Sequence, residues 1–179
     1  MKVTPYKRRE SEPLDDLRTL LQGRVFHVTR LAALPEILRS GVVLANRDRS
    51  LPTTFGYLEN GYFRNLGCVS LFDYRAELTE QLEFYRAKCD PFQEAAPDRG
   101  GVAILFVGQG AYGDLVPWTK WKDDNAQSEM VVPYVEAGYR GAMPVELFDE
   151  ILTLELTEDP DSIMAIHRRA FARRRASGR

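Results

Sequence analysis

The sequence predicts a single mixed α+β domain, and three observations carry that expectation. Residues 102–107, Val-Ala-Ile-Leu-Phe-Val, form an unbroken apolar run, as a strand covered on both faces requires. Leu152, Leu154 and Leu156 alternate with Thr153 and Glu155, the period-two signature of a half-buried strand. Helical spacings lie between such runs without regular strand–helix–strand alternation, which disfavours a doubly wound parallel sheet.

The elements follow in order. Leu14, Leu17, Leu20 and Leu21 recur at helical spacing, and Gly23 stops the helix. Residues 24–29 read as a strand. Leu31, Leu34, Ile37 and Leu38 mark a short amphipathic helix. Pro35 must sit in its first turn, and Gly41 ends it in the left-handed position. Residues 42–44 are a short extended piece. Residues 45–66 form a polar stretch long enough to suggest a functional loop. Residues 68–72 read as a strand, and Leu78, Leu82, Tyr85 and Cys89 step as a helix over 76–89. A connection over 90–101 leads to the apolar strand. A second irregular stretch, 108–127, holds Trp118 and Trp121. Met130, Val131 and Val132 read as a short strand ended by Pro133, and a terminal helix starts near Asp161 and Ser162.

A chain of 179 residues with 44% apolar and 28% charged residues fits one globular domain, with a core over 24–156 and a terminal helix over 160–179. No apolar run is long enough to cross a bilayer, and the first thirteen residues lack the apolar segment of a secretory signal. Cys68 and Cys89 make no disulfide framework, so a reducing cytoplasm is the simplest home. The last twelve residues carry six arginines and no acid, which leaves −8 on the rest of a chain whose total is −2. Such a tail is either a solvated helix end or a contact for nucleic acid or an acidic partner.

Four positions stand out chemically. His27 is a titratable ring inside the strand Val25-Phe26-His27-Val28-Thr29. A buried imidazole needs a partner, whether structural or a ligand. Ser70 lies within an apolar strand and faces a core neighbour or a pocket. Arg64 is a cation in the stretch before that strand. Glu129 opens the run Met130-Val131-Val132-Pro133, where a sheet-edge carboxylate faces solvent or a cleft. Two scattered histidines and two separated cysteines suggest no metal.

In this order, His27, Ser70 and Glu129 resemble the ADP-ribosyltransferase fold, a split, mainly antiparallel sheet with flanking helices. In that family a first strand carries a His for the ribose of NAD, a second carries Ser, Thr or Tyr at the nicotinamide pocket, and a later strand begins with the catalytic Glu. The local match is closest to DarT-type DNA ADP-ribosyltransferases. It rests on His27-Val28-Thr29, Leu34-Pro35, Ile37-Leu38-Arg39-Ser40-Gly41 and Ser128-Glu129-Met130-Val131-Val132-Pro133. The resemblance covers residues 24–46 and 126–155.

The resemblance implies NAD as substrate, Glu129 as catalytic residue, and His27, Thr29, Asn46, Arg64, Ser70 and Tyr74 as residues that bind it. The carboxylate would stabilise oxocarbenium character at the ribose carbon as the nicotinamide bond breaks. Arg64 would neutralise the pyrophosphate. The family's aromatic middle strand is replaced here, which leaves the nicotinamide-stacking residue open among Tyr74, Tyr62 and Phe72. The resemblance further implies a nucleic-acid or protein acceptor, and a toxin or phage-defence role with a possible antitoxin partner. Two alternatives stay open: a related RNA 2′-phosphotransferase, and a non-catalytic interaction module on the same fold.

Overall fold

The computed structural model describes residues 1–51, 60–77 and 79–176 and, within the last helix, the side chains of residue 163 and of 165–170. Leu78, used above for a helix spacing, residues 52–59 of the long loop and the side chains of the arginine tail from 171 onward lie outside them.

The fold is α+β, built on one mainly antiparallel sheet. Its strands are β1 (Lys2–Arg9), β2 (Val25–Arg30), β4 (Cys68–Asp73), β5 (Val102–Val107), β6 (Leu115–Pro117), β7 (Glu136–Arg140) and β9 (Phe148–Thr157). They lie in the order β1-β9-β5-β2-β4-β7-β6, and β3 (Val42–Val43) pairs separately with β8 (Met143–Pro144). Among the described strand pairs, β1 with β9 is parallel and the others are antiparallel. The helices are α1 (Asp15–Leu21), α2 (Leu34–Ser40), α3 (Tyr62–Asn65), α4 (Glu80–Lys88), α5 (Lys120–Asp123) and α6 (Ile163–Ala176).

The apolar run becomes the central strand β5, and its six residues are all buried. Strand alternation sends Val102, Ile104 and Phe106 into one core with α1, and Ala103, Leu105 and Val107 into a second core with α2. The Val, Ile, Leu and Phe side chains among them each contribute about 1.5–3 kcal/mol of burial. Pro35 sits in the first turn of α2, and Gly41 closes it at φ 75°. Helix α4 is shorter than its sequence spacing suggests. Thr79 caps it, its hydroxyl oxygen accepting from the Leu82 amide at 3.2 Å. Thr79→Ala is expected to lower stability by about 1 kcal/mol, read as a shift in the urea midpoint at unchanged slope.

Three departures from the sequence reading matter. Strand β1 lies where the sequence shows a charged segment with Pro5, and only pairing along β9 makes it a strand. Residues 130–132 are not a strand. Met130 forms a single bridge to Gly61, after which Pro133 removes a donor and Tyr134 turns back at φ 64°. The strand next to β4 is instead β7, which opens on Glu136.

Candidate functional site

The sheet forks between β2 and β4. Their ladder holds only Val25 with Asp73 and Phe26 with Phe72. Beyond it, β2 follows β5 as far as Arg30, while β4 follows β7 back to Cys68. A cavity of about 610 Å³ occupies the fork. That is within the roughly 300–1,000 Å³ typical of cofactor and small-molecule sites. Its lining draws on both faces of the sheet. Ile37, Val42 and Val43 stand at the α2 side, and Phe72, Cys89, Val135 and Glu136 at the other. The cavity therefore runs through the gap.

His27 is half-buried at the parting of the strands. Its Nδ1 lies 3.0 Å from the carbonyl oxygen of Ser70. A carbonyl only accepts, so Nδ1 carries the proton and Nε2 is left as an acceptor when the ring is neutral. Burial lowers the imidazole pKa, more than the Ser70 carbonyl raises it. Neutral His27 can thus accept a hydrogen bond from a ligand hydroxyl.

Glu136 holds the corresponding place on β7. It sits opposite Phe72, which sits opposite Phe26, so three strands meet in one cross-strand row at the apex of the fork. Two strand spacings separate the outer backbones, about 10 Å. The turn before β7 fixes the carboxylate by a reciprocal pair. The Glu136 amide donates to the Val132 carbonyl at 3.0 Å, and the Val132 amide donates to Glu136 Oε2 at 2.7 Å. Burial pushes the carboxyl up to about 7, opposed by the Val132 hydrogen bond.

That elevation is a stability cost with a definite sign. The folded carboxyl dissociates above its unfolded value of 4.5, so a folding penalty builds as pH rises from about 4.5 and is complete above about 7. Glu136→Gln keeps an oxygen for the Val132 amide and removes the ionisation. It is expected to match wild type near pH 4 and to exceed it by up to about 3 kcal/mol at pH 8, measured by urea denaturation at both pH values. Equal differences at the two would contradict a titrating Glu136.

The structure gathers five of the seven sequence-designated residues at this cavity: His27, Thr29, Asn46, Arg64 and Ser70. Thr29 is buried, and Ser70 is exposed. Asn46 has both ends of its amide committed to Leu51, donating to its carbonyl at 2.7 Å and accepting from its amide at 3.0 Å. Two residues lie elsewhere. Tyr74 is buried in the α1-side core, edge-on to Phe26 at 5.0 Å and beneath the Arg86 guanidinium at 3.9 Å. Glu129 is not in the lining. Its carboxylate accepts from the Asn65 amide at 3.1 Å, and its carbonyl accepts from Trp121 Nε1 at 2.9 Å. The reason is the turn at Pro133 and Tyr134, which puts the strand-opening carboxylate seven residues later. Of the aromatics left open by the sequence, Phe72 lines the cavity, whereas Tyr62 is buried and donates to Asp124 Oδ2 at 2.7 Å.

Among the described residues no group of His, Cys, Asp and Glu is placed to hold a metal ion, and no helix is long and apolar enough to cross a membrane. The cysteines are free thiols, Cys68 buried and Cys89 half-buried in the cavity lining. Arg168 pairs with Glu10 at 2.7 Å, and Arg169 donates to the Pro160 carbonyl, so two of the six tail arginines anchor α6. No family model matches the chain, and neither a curated protein nor a solved structure matches it.

Proposed function

We propose that the chain is an NAD-dependent ADP-ribosyltransferase acting on a macromolecular acceptor, with Glu136 as its carboxylate. The observation that carries this reading is the fork. A central strand supplies His27, its neighbour supplies Ser70, and the next strand opens on a glutamate, all around one cavity. This agrees with the order of roles in the family that the sequence resembles, with the glutamate moved from 129 to 136.

In this reading NAD lies through the gap. Nε2 of neutral His27 accepts from a ribose hydroxyl, and Thr29 and Ser70 line the same passage. Arg64 contributes positive charge toward the pyrophosphate. Glu136 faces the nicotinamide ribose, where its negative charge offsets oxocarbenium character as the glycosidic bond breaks. It then takes the proton of the attacking acceptor group. The apolar walls keep water scarce, which strengthens those electrostatic contacts. No metal enters the scheme. The likeness to DarT-type enzymes and the arginine tail favour a nucleic-acid acceptor.

The test is direct. Purified protein is incubated with NAD and, in turn, single-stranded DNA, RNA and cell protein extract. The reading predicts free nicotinamide and a mass gain of one ADP-ribose unit on an acceptor. Neither NAD binding nor NAD loss with any of these would overturn it.

A further inference from the structure

Glu136 presents a charge that the protein itself leaves unbalanced. It is half-buried against Phe72, Cys89, Val132 and Val135, and among the described residues no Lys or Arg forms an ion pair with it. Its hydrogen bond from the Val132 amide satisfies one lone pair of an acceptor-only group. A carboxylate in such surroundings is stabilised in one of two ways, by keeping its proton or by meeting a cation.

We propose that Glu136 selects a cationic ring at its end of the cavity and gives up its proton to bulk water when that ring arrives. The ligand class is an N-substituted pyridinium. Oxidised NAD, whose nicotinamide ring is positive, is preferred over the reduced form, whose ring is neutral. The exchange balances: protonated site plus cation gives an ion pair plus one released proton. This inference rests on the NAD reading for its natural ligand, but not for the charge preference itself.

The other charged and titratable groups of the cavity do not supply the same effect. Arg30 on β2 pairs with Glu94 at 3.6 Å, and Glu36 on α2 pairs with Arg39 at 2.6 Å. Arg64 on α3 carries a fixed guanidinium, which has no carboxyl proton to release. Burial raises the thiols of Cys68 on β4 and Cys89 after α4, which keeps them neutral. Burial holds His27 below the ordinary imidazole value, which favours its neutral form. Glu136 remains as the group whose charge a ligand can change, and its proton is half dissociated near pH 7.

The experiment measures affinity by calorimetry at pH 6 and pH 8 for NAD, NADH and two fragments, cationic 1-methylnicotinamide and neutral nicotinamide. Repeating each titration in phosphate and in Tris counts the protons released. Affinity for the two ligands with a cationic ring is expected to rise about tenfold from pH 6 to pH 8, with proton release at pH 6.5, while the two with a neutral ring stay flat. Glu136→Gln should abolish the pH dependence and narrow the gap between NAD and NADH. The wild-type data stand without the variant. Equal, pH-independent affinities for charged and neutral rings would overturn the inference while leaving an NAD enzyme possible. Pyridinium binding with proton release but no transfer from NAD would uphold the inference and defeat the enzymatic reading. Retention of the pH dependence in Glu136→Gln would assign the effect to another group and overturn the proposal.

Discussion

Alanine at position 138 is expected to destabilise the fold by about 3 kcal/mol, near 10 °C in Tm for a chain of this size. Gly138 lies within β7 opposite Ser70, and the Phe63 ring covers it. An added Cβ would overlap the Phe63 ring edge and stand 2.9 Å from Cys68 Cβ. Phe63 is buried in a small cluster with Tyr62 and Cys68, so displacing the ring breaks that packing. Overpacking of this kind typically costs about 1–3 kcal/mol, and a rigid neighbour pushes the cost to the upper end. Functional damage should follow, because Phe63 precedes Arg64 on α3 and both line the cavity. Gly110→Ala is the control, since a Cβ there meets nothing within 4 Å. The check is the urea-unfolding free energy of both variants. A Gly138→Ala protein within about 0.5 kcal/mol of wild type would refute the packing described.

The second large effect concerns the two glutamates. Glu136→Gln is expected to lower transfer from NAD about 10²–10³-fold, the usual loss when one preorganised electrostatic group is removed from a reacting centre. Glu129→Ala, outside the cavity, should retain activity within a few-fold, with a modest stability loss of about 1 kcal/mol from the freed Asn65 amide. Rates of nicotinamide release for the two variants, at matched folded fraction, decide between the positions. A reversed pattern, with Glu129 essential and Glu136 dispensable, would return the carboxylate role to the residue that the sequence motif designates.

The contrast shows what the chain discloses before it folds. Strand β5 is legible because both its faces are buried, so all six residues are apolar. Helix α2 is legible because Pro35 and Gly41 are confined to its two ends by backbone geometry. Strand β9 shows its alternation in three leucines. The α+β class follows from those elements. Strands β1 and β7 are not legible, for different reasons. In β1 the residues are mostly exposed and owe their extended form to a partner almost 150 residues away. In β7 the buried residues are Ala137 and Gly138, the glycine lying under the Phe63 ring, so Tyr139, half-buried, is the one large ring the strand offers as a signal. Met130, Val131 and Val132 supply a stronger apolar run in a turn. Local composition therefore places the strand-opening glutamate seven residues too early. Four residues separate Pro133 from Gly138, and the strand restarts within them at Glu136. His27, by contrast, sits in a strand that local sequence specifies, and its place at the cavity follows.

The central claim is that one dinucleotide spans the fork between β2 and β4. It is tested most directly by an experimental structure of the chain with NAD bound. The account predicts the nicotinamide ribose beside Glu136, a ribose hydroxyl within hydrogen-bond distance of His27 Nε2, and the Nδ1 contact to Ser70 retained. NAD bound away from this cavity, or bound with its reacting carbon beside Glu129, would contradict it.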